Sequence, residues 1–463
     1  MRTERFNRWL LPALAVLAVL FAGIASWLPG LHGPYHFDDH ATPLSDPASQ
    51  SFAAWEQRLA QTLRPLTKLS YALEAEAGLA AQPAPRRVIS LLLHSLAAAL
   101  LYQLIARLQP GLIQPGAVVL ALLWLLHPVH ADSVLMLSGR SAVLSGGLLL
   151  AALLALERER PVTAGGLFVL ACLARETALA GLLPAAVIAA TCPGATVRTT
   201  LRQMVPLLAG CIAVLCWLAA TPRYVALAEF SFMGRPLWPS LVAQVSAVPV
   251  GLALVLQPQR LSIDYGIALP ATGRDPLFLS GLLLFAGAAA GIAWCVCKRR
   301  ARAMAVGLAL WLAALLPTQT FVPKLDALSN RPLALALAGL LLAAAPLLAV
   351  ALERVREVSR QGGAVGASVM VSSGAAALAI VAMLVAATAQ RSELFDSELR
   401  LWQDAAVKSR SNARPHLQYA LLLARAGRDR EARQALSRAR AIDPFSARIE
   451  DLWQASRTRE EAP

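Results

Sequence analysis

Two adjacent carboxylates, Asp38 and Asp39, follow the first apolar segment of the chain within the stretch YHFDDH (35–40). A carboxylate beside an acceptor hydroxyl can serve as a general base. Because like charges repel, each carboxylate can also raise the pKa of its neighbour. We therefore predict that Asp38 or Asp39 is a catalytic base, and the pair is also the candidate binding site for a divalent metal. The alternative interpretation is a solvated loop.

A second polar stretch, HPVHADSVLMLSGR (127–140), joins two apolar segments. His127 and His130 are candidate ligands for a substrate, or for a metal together with Asp132. Two histidines three residues apart are a weak metal signature, and the proline between them prevents a regular helix. A solvated turn is the favoured interpretation, with Arg140 at its end as a candidate cation for a phosphate.

Charged residues also interrupt or precede later apolar segments. Arg175 and Glu176 lie in ARETALAGLLP, where a charge at the membrane centre would cost roughly 2.5–3.5 kcal/mol. We therefore expect an outer turn whose charges face a cavity. Lys324 and Arg331 precede a later span. A guanidinium can donate two parallel hydrogen bonds to a phosphate, so Arg331 is a candidate phosphate ligand; the alternative is a side chain that snorkels to lipid head groups.

Apolar blocks dominate this 463-residue chain. Hydrophobic residues make up 57% of it and charged residues 15%, against about 25% charged residues in a soluble domain. The blocks are roughly 17–25 residues long, which matches the thickness of a bilayer. The sequence therefore predicts an all-α polytopic membrane protein. Its net charge of +14 comes from basic clusters between the blocks, as the positive-inside rule expects, and this excludes nucleic acid as a partner.

The basic clusters predict a topology with about eleven transmembrane helices and a cytoplasmic N-terminus. The apolar stretch 240–256 would put an odd number of crossings between two cytoplasmic clusters, so we predict an amphipathic or re-entrant helix there. The predicted spans are 9–29, 87–107, 112–130, 138–156, 162–176, 177–195, 204–221, 277–297, 303–319, 332–352 and 364–389. The predicted outer loops are 30–86, 127–140, 222–276 and 320–331.

Residues 391–463 differ from the rest because they are polar and rich in Arg and Ala. The segment ARPHLQYALLLARAGRDREARQALSRARAIDP fits one tetratricopeptide repeat (TPR). In this alignment Ala420 allows close helix packing, Gly427 makes the turn and Pro444 ends the unit. One repeat cannot bury its own apolar face, so we expect flanking helices to cover it. The chain is thus divided into a transmembrane domain, 1–390, and a TPR-like helical domain; an ordinary helical hairpin is the alternative.

In this order, the segments resemble the transmembrane and tetratricopeptide-repeat family of protein O-mannosyltransferases and their bacterial relatives. These are membrane glycosyltransferases of the GT-C type. The resemblance covers nearly the whole chain, and its most specific part is HPVH with the trailing SGR. The matching segments are FDDH (37–40), RPLTKLSYAL (64–73), RVISLLLHSLAAALLYQL (87–104), LHPVHADSVLMLSGRSAVLS (126–145), CLARETALAGLLP (172–184), QPQRLSIDYG (257–266) and LRLWQDAAVKSRSNARPHLQYALLLARAG (399–427).

The resemblance implies a GT-C-like fold in the inner (plasma) membrane of a bacterium, with the TPR-like domain in the periplasm. It implies a polyprenyl-phosphate-linked sugar as the donor, with mannose as the candidate sugar, and a protein or envelope polymer as the acceptor. In this scheme Asp38 or Asp39 is the base, and Arg331, Arg140 or Lys324 holds the phosphate. The TPR-like domain is a candidate site for a protein partner. The other predicted substrate-binding residues are His127, His130, Arg175 and Glu176.

Some features depart from the family pattern. Asn330 stands where the family has an acidic residue beside Arg331, and Leu333 stands at a tyrosine-like position. The altered segment SNRP favours a second hypothesis, an inactive membrane-anchored scaffold whose TPR-like domain binds a protein. A transporter is a third hypothesis, which is disfavoured because no paired Gly/Pro-broken spans occur in matching halves of the sequence.

Overall fold

The structure, a computed structural model, describes residues 21–112, 114–233, 236–266, 270, 272–321, 326–360 and 363–461. All regular secondary structure within these ranges is helical. In the same ranges, 8 helices are long and apolar enough to cross a membrane, and a bent pair, Gln114–Leu125 with Pro128–Val134, would bring the number to 9. The prediction of an all-α, multi-pass membrane protein is confirmed. The count of about eleven spans stays a prediction.

We number the described α-helices in chain order. The first ten are α1 (Leu28–Leu31), α2 (Phe52–Gln57), α3 (Pro65–Glu76), α4 (Pro83–Leu108), α5 (Gln114–Leu125), α6 (Ala131–Val134), α7 (Arg140–Glu157), α8 (Pro161–Ala174), α9 (Leu182–Thr191) and α10 (Val197–Ala220). The next ten are α11 (Pro222–Met233), α12 (Leu237–Leu256), α13 (Pro276–Lys298), α14 (Arg302–Leu316), α15 (Asn330–Arg360), α16 (Gly363–Glu393), α17 (Glu398–Lys408), α18 (Ala413–Arg425), α19 (Asp429–Ile442) and α20 (Ala447–Glu461).

Local sequence signals define where several of these helices begin. Proline occupies the first position of α3, α4, α8 and α13, where its missing N–H costs no helical hydrogen bond. Asp275 caps α13 by accepting a hydrogen bond from the Leu277 N–H at 2.8 Å. Thr196 and Thr199 form a reciprocal capping box at the start of α10, which satisfies two N–H groups that the helix leaves unpaired.

Hydrogen bonds join the ends of several long helices at two ends of the molecule. At one end, Arg302 at the start of α14 bonds to Glu157 at 2.8 and 3.2 Å and to Thr191 at 3.3 Å. These partners are the last residues of α7 and α9, and most of the basic clusters flank the helix ends here; we call this the basic end. At the opposite end, which we call the site end, Trp124 of α5 donates to the Ala334 carbonyl near the start of α15 at 2.8 Å.

The helix α12 contains the stretch that was predicted not to cross the membrane. By length and composition it qualifies as a span, but the contacts along it are with the site end. Near its middle, Gln244 donates to the carbonyl of Thr318, just after α14, at 2.9 Å. At its C-terminal end, the Val255 carbonyl accepts from His127 Nε2 at 2.9 Å. In its first turn, Trp238 packs edge-on against Phe278 in the first turn of α13, with ring centroids 6.0 Å apart.

Three other predicted spans correspond to short or partly described segments. The predicted span 9–29 lies mostly outside the described residues, which enter it at Phe21. The predicted spans 162–176 and 177–195 coincide with shorter apolar helices, α8 and the segment Glu176–Thr191.

The stretch 127–140, interpreted above as a solvated turn, is buried throughout. That interpretation is wrong because other segments cover the turn at the site end. From the first predicted outer loop, the Asp39 carboxylate accepts a hydrogen bond from the Ser138 N–H at 2.8 Å. From the end of α16, the Arg391 guanidinium lies 3.4 Å from the Asp132 carboxylate.

The four C-terminal helices, α17 to α20, pack together at the site end. Leu423 of α18, Leu436 of α19 and Ile449 of α20 are among the buried residues of their common core. Gly427 joins α18 to α19 with a φ of +72°, a conformation that glycine adopts without strain. These helices contact the membrane part at several points, among them Arg414, which pairs with Asp264, and Asp404, which pairs with Arg391 at 3.1 Å. The assignment of a tetratricopeptide repeat stays a prediction.

Candidate functional site

A polar cavity of about 350 Å³ lies at the site end, between the membrane helices and the C-terminal helices. Segments far apart in the sequence build its wall: the first predicted outer loop, the turn after α5, the end of α8, the start of α15, and α17 with α18. We call it the central cavity. Its lining side chains include Asp38, Asp132, Arg175, Asn330, Arg331 and Trp402.

The two adjacent carboxylates have different surroundings. The Asp38 side chain is 48% exposed and faces the central cavity, where its carboxylate lies 3.6 Å from the Arg331 guanidinium. Asp39 is fully buried, and it accepts hydrogen bonds from the Ser138 N–H at 2.8 Å and the His36 N–H at 3.2 Å. Burial raises the pKa of the Asp39 carboxyl. Asp38 is thus placed to meet a substrate, while Asp39 fixes the loop that carries it.

Two guanidinium groups line the central cavity from the membrane side. Arg331 donates to the Ser138 hydroxyl at 3.2 Å besides pairing with Asp38. Arg175 donates to the Ser141 hydroxyl at 3.1 Å and makes no ion pair with any described residue. Both side chains also line a neighbouring apolar crevice between α7, α14 and α15. The crevice is walled mainly by small and aliphatic residues, among them Gly146, Leu149, Gly181, Ala313, Ala314 and Leu335.

Glu176, the neighbour of Arg175, points elsewhere. It forms a two-point ion pair with Arg64, at 2.7 and 3.0 Å. Arg64 immediately precedes α3 and has a left-handed φ of +54°, and its backbone N–H donates to the Tyr224 hydroxyl at 2.9 Å. Glu176 therefore neutralises Arg64 and leaves the charge of Arg175 without a carboxylate partner. The expectation that both charges face one cavity fits Arg175 and not Glu176.

Arg140 lies away from the central cavity. Its side chain is fully buried, and it pairs with Glu74 while donating to the Ser90 hydroxyl at 3.0 Å and the Arg86 carbonyl at 2.6 Å. Because these partners occupy the guanidinium inside the protein, Arg140 serves the packing of α3, α4 and α7 in this structure. Lys324, another predicted phosphate ligand, lies outside the described residues.

The two predicted histidines are also buried and outside the central cavity. His127 uses both ring nitrogens: Nε2 donates to the Val255 carbonyl at 2.9 Å, and Nδ1 accepts from the Val129 N–H at 3.1 Å. His130 packs against His94, with ring centroids 4.4 Å apart. Among the described residues, no group of three or more His, Cys, Asp or Glu side chains could hold a metal ion.

A hydrogen-bonded cluster beside Asp38 was not predicted as a unit. Asn330 donates to the Asp132 carboxylate and to the Ser262 carbonyl, both at 2.7 Å, and accepts from the Tyr265 hydroxyl at 2.5 Å. The sequence suggests only a metal ligand for Asp132 and only a departure from the family pattern for Asn330. The sequence signal was the pair of isolated polar segments, HPVHADS and LSIDYG, on one face of the membrane.

The C-terminal helices complete the cavity wall. Arg414 binds Asp264 at 2.5 and 2.7 Å and Asp326 at 2.9 Å. Trp402 packs edge-on against Phe37, with ring centroids 5.2 Å apart. Phe37 has a φ of +34°. The C-terminal domain thus contributes directly to the site.

Fold and site together define the chain as a multi-pass helical membrane protein with a charged cavity at one end of its helices. A scan against protein-family models finds no match, and a search of curated proteins finds no similar sequence.

Proposed function

We propose that this chain is a bacterial membrane glycosyltransferase of the GT-C type. It would transfer a sugar, with mannose as the candidate, from a polyprenyl-phosphate donor to a protein or envelope polymer on the outer face of the plasma membrane. The observation that supports this most is the meeting of Asp38, Arg175 and Arg331 in one cavity. They come from separate segments, and they combine a base with two phosphate-binding groups.

The position of the two arginines favours a donor that carries a lipid. Both line the boundary between the polar central cavity and the apolar crevice. A phosphate at that boundary can accept paired hydrogen bonds from a guanidinium. The crevice has a volume of about 30 Å³, so it would hold only the first carbons of the prenyl chain, and the rest would lie along the apolar helix surface beside it. A free, water-soluble nucleotide sugar would have no use for the crevice.

The proposed reaction is a single displacement at the anomeric carbon. The acceptor hydroxyl oxygen forms the new bond to that carbon, and the bond from the carbon to the phosphate oxygen breaks. Its electron pair stays on the phosphate, which Arg175 and Arg331 stabilise. The hydroxyl proton passes to the Asp38 carboxylate and then to water. The products are the glycosylated acceptor and polyprenyl phosphate.

The ion pair between Asp38 and Arg331 gives the donor a second effect. At 3.6 Å this pair is loose and partly exposed, so it contributes little to stability. A donor phosphate would compete with Asp38 for Arg331. Binding of the donor would then break the ion pair and free the Asp38 carboxylate to act as the base. Sugar transfer would therefore be limited to enzyme that already holds the donor.

The course of the chain supports the predicted topology. If α8 and Glu176–Thr191 each cross, and α12 lies across the site end as its contacts suggest, the helices alternate between the two ends. The predicted span 9–29 would then bring the count to about eleven, as the basic clusters require. The basic end is cytoplasmic in this scheme, and the cavity and the C-terminal helices are periplasmic. We retain the TPR-like assignment as part of this proposal.

The test replaces Asp38 with Asn, which keeps the size of the side chain and removes the proton acceptor. The purified protein, in lipid vesicles, is given polyprenyl-phosphate mannose as the donor. The acceptors are membrane proteins from cells that lack this chain. Loss of a general base lowers turnover roughly 10²–10⁴-fold, so we expect that loss with an unchanged unfolding temperature. The matched control is Asp396→Asn, because Asp396 is 49% exposed, also pairs loosely with an arginine, and lies outside the cavity.

Glycans of envelope proteins and polymers from cells with and without the chain show whether any transfer occurs. Near-normal turnover in Asp38→Asn would remove Asp38 as the base. If the unaltered protein transfers no sugar and these glycans are unchanged in cells, the glycosyltransferase proposal is rejected. The membrane-anchored scaffold is then the remaining hypothesis.

A further inference from the structure

A second, larger cleft of about 600 Å³ lies between the C-terminal helices and the loops at the site end. Asp326 and Arg414 line both this cleft and the central cavity. The two spaces are therefore neighbours that share one wall. No role has been given so far to this cleft, which we call the C-terminal cleft.

The walls of the C-terminal cleft come from both parts of the molecule. Leu328 and Ala243 belong to the membrane part, while Leu417 and Ile442 belong to α18 and α19. These side chains are aliphatic. The one aromatic residue among the described lining residues is Tyr265, whose hydroxyl is bonded to Asn330. An aliphatic lining offers contacts to the apolar side chains of a polypeptide, and we take it to favour a polypeptide over a glycan.

Polar groups at the rim of the cleft are held in place. Ser411 donates to the Gly266 carbonyl at 2.5 Å, and Asn412 donates to the Asp264 carboxylate at 3.0 Å. Asp443, which follows α19 and also lines the cleft, is exposed and forms no ion pair with a described residue. The rim thus offers fixed polar groups together with an unpaired carboxylate.

We propose that the C-terminal cleft binds the acceptor as an extended polypeptide segment. A basic side chain of the segment pairs with Asp443, small or aliphatic side chains contact the floor, and a Ser or Thr hydroxyl passes Arg414 to reach Asp38. This inference rests on the proposed glycosyltransferase function and narrows its acceptor to a protein. The charge at Asp443 and the shared wall with the central cavity are the observations that select this occupant.

The binding test uses the full chain in lipid nanodiscs and fluorescent peptides of Ala, Ser and Thr with one Lys. We expect Asp443→Lys to weaken binding at least tenfold at moderate salt, because the peptide's Lys then meets a like charge. The matched control is Asp451→Lys, because Asp451 is an exposed aspartate of the same domain that does not line the cleft. A second variant, Ala243→Phe, narrows the cleft from the membrane side, so loss of binding cannot be ascribed to misfolded C-terminal helices.

The readouts separate this inference from the proposed function. Asp38→Asn should bind the peptides normally and fail to glycosylate them, while Asp443→Lys should raise the peptide KM without changing the donor constant. Peptide binding that both cleft variants leave unchanged would overturn the inference. Competition by an oligosaccharide, with no binding of any peptide, would also overturn it and would indicate a glycan acceptor. Peptide binding without any sugar transfer would reject the enzyme and retain the cleft as a peptide site.

Discussion

Replacing Asn330 with Asp tests the most tightly defined polar cluster of the site. The Asn330 amide donates two hydrogen bonds at 2.7 Å, one to Asp132 and one to the Ser262 carbonyl. An aspartate of the same shape removes both donors and sets a second carboxylate against Asp132. The acidic residue that the family resemblance leads one to expect here would therefore face a carboxylate in this chain.

The cost follows from the distance between the two groups. Two like charges about 3 Å apart repel by roughly 5–6 kcal/mol at an effective dielectric constant of 20. The pair can avoid this repulsion by taking up one proton, which at pH 7 costs about 4 kcal/mol for an ordinary aspartate. The proton can then restore one hydrogen bond between the two side chains. We therefore expect Asn330→Asp to lower the free energy of unfolding by roughly 3–4 kcal/mol at pH 7.

The assay is reversible unfolding of the purified protein in detergent at pH 7 and pH 5. Proton uptake by the folded pair means that the loss should shrink at pH 5, where protonation is less costly. Asn330→Ala is the control, because it removes the same hydrogen bonds without adding charge and should show no such pH dependence. The double variant Asp132→Asn with Asn330→Asp should recover part of the stability, since an amide again faces a carboxylate. Equal stabilities of Asn330→Asp and Asn330→Ala at both pH values would refute the reasoning.

Two further predictions concern pH and topology. Burial lowers the pKa of His36 to about 3 in the folded protein, so the stability that depends on neutral His36 is present above pH 6.5 and is lost as the pH falls. The variant His36→Gln removes this pH dependence and leaves the opposite contribution of Asp39, so the unaltered protein should lose roughly 1–2 kcal/mol more than the variant between pH 6.5 and 5 in the same unfolding assay. Equal losses in the two proteins would contradict this prediction. A reporter that is active only in the periplasm should work when fused after Pro463 and should be silent when fused after Arg360 at the basic end; the reverse pattern would show that α12 crosses the membrane.

The meeting of Asp38, Arg175 and Arg331 illustrates what the sequence could predict. Each residue was placed at the outer end of a span because basic clusters fix the other ends on the cytoplasmic side. Spans of similar length then bring all outer loops to one level, so the residues must lie near one another. The structure places these three around one cavity. The number and the length of the predicted spans were sufficient to predict that these three residues lie near one another.

Side-chain direction could not be predicted in the same way. Asp38 and Asp39 cannot be distinguished in the sequence. In the structure the N–H groups of His36 and Ser138 hold Asp39 in the interior, and Asp38 faces the cavity. Arg140 lies in a predicted outer loop but turns inward, because Glu74 from α3 is close enough to pair with it. Such pairings depend on contacts between segments distant in sequence, which carry no local signal.

The arrangement of charge around the central cavity has a direction. Each carboxylate of its wall has an arginine partner, yet the partners are not evenly placed. The pairs are Arg414 with Asp264 and Asp326, Arg391 with Asp132, and Arg331 with Asp38. Two aspartates share Arg414, so the side next to the C-terminal cleft is negative. Arg175 has no ion-pair partner among the described residues, so the side next to the apolar crevice is positive. In a cavity partly shielded from water, such a separation steers ligands of opposite charge to opposite sides. An anionic lipid donor would then enter from the crevice and a basic acceptor segment from the cleft, so the two substrates would meet at Asp38 without competing for one entrance.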